Sequence, residues 1–117
     1  MSLNKAMLIG RLGHKPEVKY TETGKAVCNF SVATSENWKD KNGEKKENTE
    51  WHNIVVWGKL AETCGQYLDK GRQVFIEGKM QTRSWEDEHA QKRHSTEVNA
   101  DSVQFLGGMA LNGNGVS

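Results

Sequence analysis

The stretch that decides the fold is WHNIVVWGKLAETCGQYLDKG, residues 51–71. Its first seven residues alternate between two faces with a period of two, which predicts a half-buried strand. One face would carry Trp51, Asn53, Val55 and Trp57, and the other His52, Ile54 and Val56. The strand is therefore amphipathic, with two large aromatic rings on the side away from Ile54 and Val56.

Directly after this strand the apolar spacing becomes helical. Leu60, Cys64, Tyr67 and Leu68 fall at i, i+4, i+7 and i+8, which is one apolar stripe on a helix over residues 59–70. We expect Gly71 to end the helix as a left-handed cap, with Lys70 at the negative end of the helix dipole.

Further strands are predicted at residues 4–13, 26–35, 72–85 and 94–106. Between them we expect a short extended piece at 17–20, a long exposed loop or loose hairpin extension at 38–50, and a polar hairpin tip at 86–92. The order of strands and helix predicts an all-β OB-fold, a five-stranded Greek-key barrel with one helix between strands 3 and 4. A generic five-stranded α+β domain is the alternative.

Length and composition indicate one domain with a thin core and a large wet surface. The chain has 117 residues, of which 35% are hydrophobic and 26% charged. We place the domain at residues 1–107 and a flexible Gly/Asn-rich segment at 108–117. The net charge of +1 counts mildly against a polyanionic partner. Residues 1–35 nevertheless hold five Lys/Arg against Glu17 and Glu22, so a local basic patch is possible.

The two cysteines, Cys28 and Cys64, are too few for a disulfide framework, and we expect both to be buried in a reducing compartment. The N-terminus leads straight into a strand without a signal peptide, and no apolar run approaches the ~20 residues of a membrane span. These features predict a soluble protein of the cytoplasm with no membrane partner.

Four tryptophans lie in polar or basic surroundings on or beside predicted strands: Trp38, Trp51, Trp57 and Trp85. Aromatic rings on a solvent-exposed, basic strand are typical of a protein that binds unpaired nucleotides, because every base has a face that stacks on an aromatic ring. Partial burial at the edge of the core is the alternative for any one of them. The same strand that carries Trp85 would also present Lys79 and Arg83 on its face.

The segment TEWHNIVVWGKLAE, residues 49–62, closely resembles the bacterial single-stranded DNA-binding protein family. The resemblance extends in family order over residues 4–107, through PEV at 16–18, ATSENW at 33–38, IEG at 76–78 and TRSW at 82–85. It implies the barrel described above and a homotetramer that binds single-stranded DNA without sequence preference. Such proteins protect single strands in replication, recombination and repair, in the bacterial cytoplasm and at the nucleoid.

The resemblance also implies roles for individual residues. The stacking aromatics of the family correspond to Trp38, Trp51, Trp57 and Trp85; Phe is common in the family where Trp57 stands. Cations expected to meet phosphates are Lys79 and Arg83 first, then Lys59, Arg72, Lys5 and Arg11, with Lys41, Lys45 and Lys70 as further candidates. The family usually ends in an acidic tail that recruits replication and repair proteins. The last ten residues contain no Asp or Glu, so we expect such recruitment only from a longer native form with that tail.

An oligomer interface is expected around His52, which the resemblance places at a subunit contact, and Phe75. Phe75 belongs to a set of apolar side chains that we expect on outer strand faces: Val27, Val55, Phe75, Val103 and Phe105. Outward apolar groups of this kind suit a symmetric assembly.

Other classes fit less well. The four histidines are scattered, and even His89 and His94 beside Glu86, Asp87 and Glu88 have no zinc or hydrolase spacing, so we expect no enzyme activity, metal or cofactor. A dimeric primosomal replication protein of the same fold is the closest rival, distinguished by its subunit number. A cold-shock-type RNA binder would show compact aromatic motifs on strands two and three, which are absent.

Overall fold

A computed structural model describes residues 1–107 of the chain. Within them the strands are β1 (Ala6–Leu12), β2 (Glu17–Tyr20), β3 (Ala26–Lys39), β4 (Lys45–Trp57), β5 (Gln73–Glu86) and β6 (Lys92–Leu106), and the helix is α1 (Lys59–Tyr67). This helix is far too short to cross a membrane, and residues 1–107 contain no other helix that could. The segment 108–117 that we predict to be flexible lies outside the described residues.

Five of the strands close into a barrel. The sheet runs β1-β5-β6-β4-β3, and a β1–β3 pairing at Arg11↔Ala33 and Leu12↔Val32 closes it. The β4–β6 contact is parallel and the other pairings are antiparallel. The short β2 is added to the edge of β3. The predicted OB-fold, with its helix between the third and fourth barrel strands, is therefore confirmed, and the α+β alternative is wrong.

The predicted alternation of β4 is also confirmed, and β3 alternates in the same way. Cys28, Phe30 and Val32 of β3 are buried, as are Ile54 and Val56 of β4. α1 packs over one end of the barrel, and Ala61, Cys64 and the following Leu68 are fully buried there. Burial raises the pKa of the Cys28 thiol to about 11 and that of Cys64 to about 12, which keeps both as unreactive thiols at neutral pH.

The helix is shorter than its apolar spacing predicts. It ends at Tyr67, because Leu68 leaves the helical region with φ −89° and ψ 151°. Gly71 does have a left-handed backbone (φ +83°), but it lies in the turn before β5, where its N–H donates to the Leu12 carbonyl at 2.8 Å. The expected glycine cap and the role of Lys70 at the helix end are therefore wrong.

The polar segment 38–50 is strand for most of its length. β3 and β4 stay paired out to Lys39↔Lys45, which makes a two-stranded arm of residues 34–50, the β3–β4 arm. At its tip the Asp40 carboxylate accepts hydrogen bonds from the backbone N–H groups of Asn42 and Glu44, both at 2.9 Å. The hairpin alternative is thus the correct one: the ladder is held by backbone bonds, which polar side chains do not prevent.

A bulge in β6 reverses the faces of its last residues. The pairing steps from Gly78↔Ala100 to Glu77↔Ser102, so Asp101 has no partner in β5. Beyond this extra residue Val103 pairs with Ile76 and Phe105 with Val74, and both pack against the core. The expectation that Val103 and Phe105 face outward is therefore wrong, because simple alternation ignores the bulge.

Candidate nucleic-acid interface

Side chains from four strands form one continuous outward surface. In register, Ala33 lies beside Trp51 and Val27 beside Trp57 across β3 and β4, Asn53 lies beside Glu97 across β4 and β6, and Arg83 lies beside Ser95 across β5 and β6. We call this surface, with Trp51, Trp57 and Trp85, the tryptophan face. It holds a groove of about 560 Å³ bordered by Trp57, Asn53, Arg83 and Glu97.

Trp51 is exposed to solvent, and one side of its ring packs against Gly13. Its side chain is 59% exposed, and a Cβ added to Gly13 would lie 2.6 Å from Cζ3 of the indole. Gly13 thus lets the ring lie against the backbone that follows β1. The contact depends on bringing β1 beside β3, which the local sequence does not show.

Trp57 lies beside a cation that the sequence reasoning missed. The Lys25 ammonium is 5.1 Å from the centroid of the Trp57 ring, which is 39% exposed. Lys25 directly precedes β3, whose Val27 is the register partner of Trp57. Only that register shows that residues 25 and 57 meet. Lys59, at the start of α1, is exposed and two positions from Trp57.

Arg83 contacts both Trp85 and Glu97. The Arg83 guanidinium lies 5.1 Å from the Trp85 ring centroid, and its Nη2 is 3.3 Å from Oε2 of Glu97. Lys79 lies exposed on the same face, six residues before Trp85. Glu97 was missed in the sequence because a lone Glu in a strand gives no signal, yet it orders the arginine that accompanies Trp85.

Trp38 does not share this face. It pairs with Lys46 in the β3–β4 arm, five residues after Ala33, the partner of Trp51. An odd separation along a strand places side chains on opposite faces. Trp38 is exposed, but on the other side of the arm from Trp51. A nucleic-acid strand whose bases stacked on both rings would have to pass around the arm.

The remaining predicted cations lie around the barrel. Lys5 forms a 2.9 Å ion pair with Glu77 and borders a cleft of about 350 Å³ together with Lys79. Arg11 donates to the Gly71 carbonyl at 3.0 Å, and Arg72 lies over Phe105 at 5.5 Å. Lys41, Lys45 and Lys70 are exposed, the first two at the tip of the β3–β4 arm.

The two predicted interface residues have different surroundings. His52 is half-buried on the core side of β4, opposite Trp51, and its Nε2 lies 2.9 Å from Oγ1 of Thr34. Phe75 is half-buried on the outer side of β5 beside Ile9, which is exposed together with Met7. These contacts provide an apolar surface on β1 and β5, and a subunit interface there stays a prediction.

Residues 1–107 contain no group of three His, Cys, Asp or Glu that could hold a metal ion. At the acidic tip of the β5–β6 hairpin, Asp87 stabilises the turn. The Asp87 carboxylate accepts from the Gln91 backbone N–H at 3.0 Å and from Arg93 Nε at 2.8 Å, and these bonds hold its pKa below its usual value.

A closed five-stranded barrel with exposed indoles and cations on one face defines an oligonucleotide-binding barrel. The chain belongs to the Single-strand binding protein family, whose family model matches residues 3–106. This confirms the resemblance seen in the sequence, and with it that the domain is a binding module and not an enzyme.

Two relatives place the chain within this family. It is 52% identical over 115 residues to the single-stranded DNA-binding protein of Neisseria meningitidis serogroup A / serotype 4A. This alignment covers 98% of this chain and 66% of that protein. It is 56% identical over 106 residues to single-stranded DNA-binding protein 1 of Chlorobaculum tepidum, covering 90% and 65%. The chain therefore spans about two thirds of the length of these relatives.

Two solved structures share the fold. One is the Plasmodium falciparum SSB complex with ssDNA, at a TM-score of 0.83 and 40% identity, covering 91% of this chain and 97% of that one. The other is a deletion mutant of the single-stranded DNA-binding protein from Thermus aquaticus, at 0.79 and 31%, covering 92% and 52%.

Proposed function

We propose that residues 1–107 bind single-stranded DNA without sequence preference and protect it during replication, recombination and repair. The observation that carries this proposal is the pair Trp51 and Trp57, which project from one strand into solvent instead of into the core. Bases stack on Trp51, Trp57 and Trp85, and on Trp38 across the arm. Lys25, Lys59, Lys79 and Arg83 supply positive charge beside these rings.

The geometry favours single strands because stacking needs an unpaired base. A duplex keeps its base faces against one another, whereas a flexible strand offers them to an indole. Stacking uses the flat face that every base has, so binding through these rings is insensitive to sequence. The homologue in complex with single-stranded DNA supports this partner for the fold. In the cell the protein would lie in the cytoplasm with the nucleoid DNA.

Titration with oligo(dT) tests the proposal. We expect strong quenching of tryptophan fluorescence, because several exposed rings enter base stacks together. The association constant should fall as salt rises, with a log–log slope of roughly −0.7 for each phosphate neutralised. Duplex DNA of equal length should bind much more weakly. Equal affinity for duplex and single strand would overturn the proposal.

We further propose a homotetramer, in which Met7, Ile9 and Phe75 are covered and His52 lies near a subunit contact. Met7 and Ile9 of β1 are 60% and 55% exposed and lie near the half-buried Phe75 of β5, and an exposed apolar patch of this kind is typical of an interface. Recruitment of replication and repair proteins is a separate proposal that depends on an acidic segment, and residues 108–117 contain no Asp or Glu.

Sedimentation equilibrium tests the assembly. We expect four times the chain mass of 13.1 kDa for the unaltered protein. His52→Lys should shift the distribution to smaller species, because like charges would meet around a symmetry axis. A dimer would favour the primosomal relative instead, and a stable monomer would contradict both.

A further inference from the structure

Two of the four arginines have no carboxylate partner among residues 1–107, and both reach the same cavity. Arg83 pairs with Glu97 and Arg93 with Asp87. Arg11 and Arg72 instead border a cavity of about 270 Å³, whose other lining residues are Gly71, Gln73, Leu106 and Gly107. None of the six lining residues is acidic, so the lining of the cavity is positively charged.

The arginines at this cavity keep donors to spare. Arg11 uses Nη1 for the Gly71 carbonyl at 3.0 Å, while a guanidinium has five N–H donors. Arg72 lies over Phe105, and its Nε is buried without a hydrogen-bond partner. A buried donor without a partner is unfavourable, and a small shift of the side chain toward an anion would give it one. The nearby Asp69 accepts from the Lys70 backbone N–H at 2.7 Å.

The cavity adjoins the Trp51 end of the tryptophan face. Arg11 is the register partner of Ala33 across β1 and β3, and Ala33 is the partner of Trp51 across β3 and β4. Partners in register project to the same side, and neighbouring strands lie about 4.8 Å apart. Arg11 is thus two strand spacings from Trp51 on the same surface.

We infer that Arg11 and Arg72 form a phosphate-binding site, which takes a phosphodiester of the strand beyond the base stacked on Trp51. Planar guanidinium groups match phosphate oxygens and are preferred for this recognition. The inference rests on the proposed function and extends it: the bound DNA strand leaves the tryptophan face across the β3–β1 closure of the barrel, and not only along the β3–β4 arm.

The test measures salt dependence with the double variant Arg11→Gln/Arg72→Gln. Anisotropy of a labelled oligo(dT), long enough to cover the domain, gives the slope of log affinity against log salt concentration. We expect the slope to become less steep by about 1.4, two phosphate contacts at about 0.7 each. The control Lys19→Gln/Lys92→Gln removes the same charge at two exposed lysines, one on β2 and one at the β5–β6 hairpin, and should change the slope by less than half as much.

A charge-preserving variant separates contact from packing. Arg11→Lys/Arg72→Lys should bring the slope most of the way back to the original value. The phosphate site would be overturned if the slope stayed unchanged in the Gln variant or changed equally in the control. Either result would leave the proposed function intact, because that function is tested by the tryptophan quenching of the unaltered protein. Failure of the lysine variant to restore the slope would also reject it. Loss of all binding by the unaltered protein would reject both.

Discussion

The double variant Trp51→Ala/Trp57→Ala should bind oligo(dT) more weakly by about 2–6 kcal/mol, since each base stack contributes about 1–3 kcal/mol. Both rings project from β4 into solvent, Trp51 against Gly13 and Trp57 beside Lys25. Their removal takes away stacking surface and leaves Ile54 and Val56 in the core untouched. Anisotropy of a labelled oligonucleotide measures the loss without depending on the tryptophan signal.

A matched control for this result is Tyr67→Ala. Tyr67 is an aromatic residue with the same 59% exposure as Trp51, but it ends α1 and lies off the tryptophan face. We expect its affinity for oligo(dT) to match that of the unaltered protein. The assignment of the two tryptophans would be wrong if the double variant lost thermal stability while keeping its affinity for single strands.

The second large effect concerns folding. Leu68→Ala should lower the free energy of unfolding by about 2–5 kcal/mol, the usual range for deleting a buried leucine side chain. Leu68 is fully buried directly after α1, and its N–H donates to the Cys64 carbonyl at 3.0 Å. The cavity left behind would loosen the helix over the end of the barrel. Denaturant unfolding followed by circular dichroism measures the change.

Tyr67→Ala again provides the comparison, one residue away. Its side chain is exposed, so we expect a change within about 0.5 kcal/mol. Equal losses in the two variants would show that the end of the helix, and not burial of Leu68, holds α1 in place.

Local periodicity was enough to predict the barrel strands and the faces of β4. Ile54 and Val56 are buried and Trp51 and Trp57 exposed, as the alternation indicates. A period of two depends only on the side-chain pattern, so it survives without knowledge of the partner strands. The predicted end of the helix was wrong, because Leu68 continues the apolar stripe although its backbone is already extended.

Pairing decided what the pattern could not. The polar residues of the β3–β4 arm do not alternate with apolar ones, so the sequence pattern did not predict strands there. Backbone hydrogen bonds nevertheless pair the two strands out to Lys39↔Lys45. The unpaired Asp101 turned Val103 and Phe105 inward against simple alternation. A bulge adds one residue to one strand, and its effect on facing is visible only when the partner strand is known.

By itself, the sequence determined the fold class, the position of the helix and the aromatic character of the surface, because these follow from composition and spacing along the chain. Only the tertiary structure decided which distant residues meet. Trp38 is on the other side of its arm from Trp51, Glu97 reaches Arg83, and Arg72 comes to lie beside Arg11. Such meetings depend on strand register and barrel closure, which join residues up to about sixty positions apart and leave no mark in the local sequence.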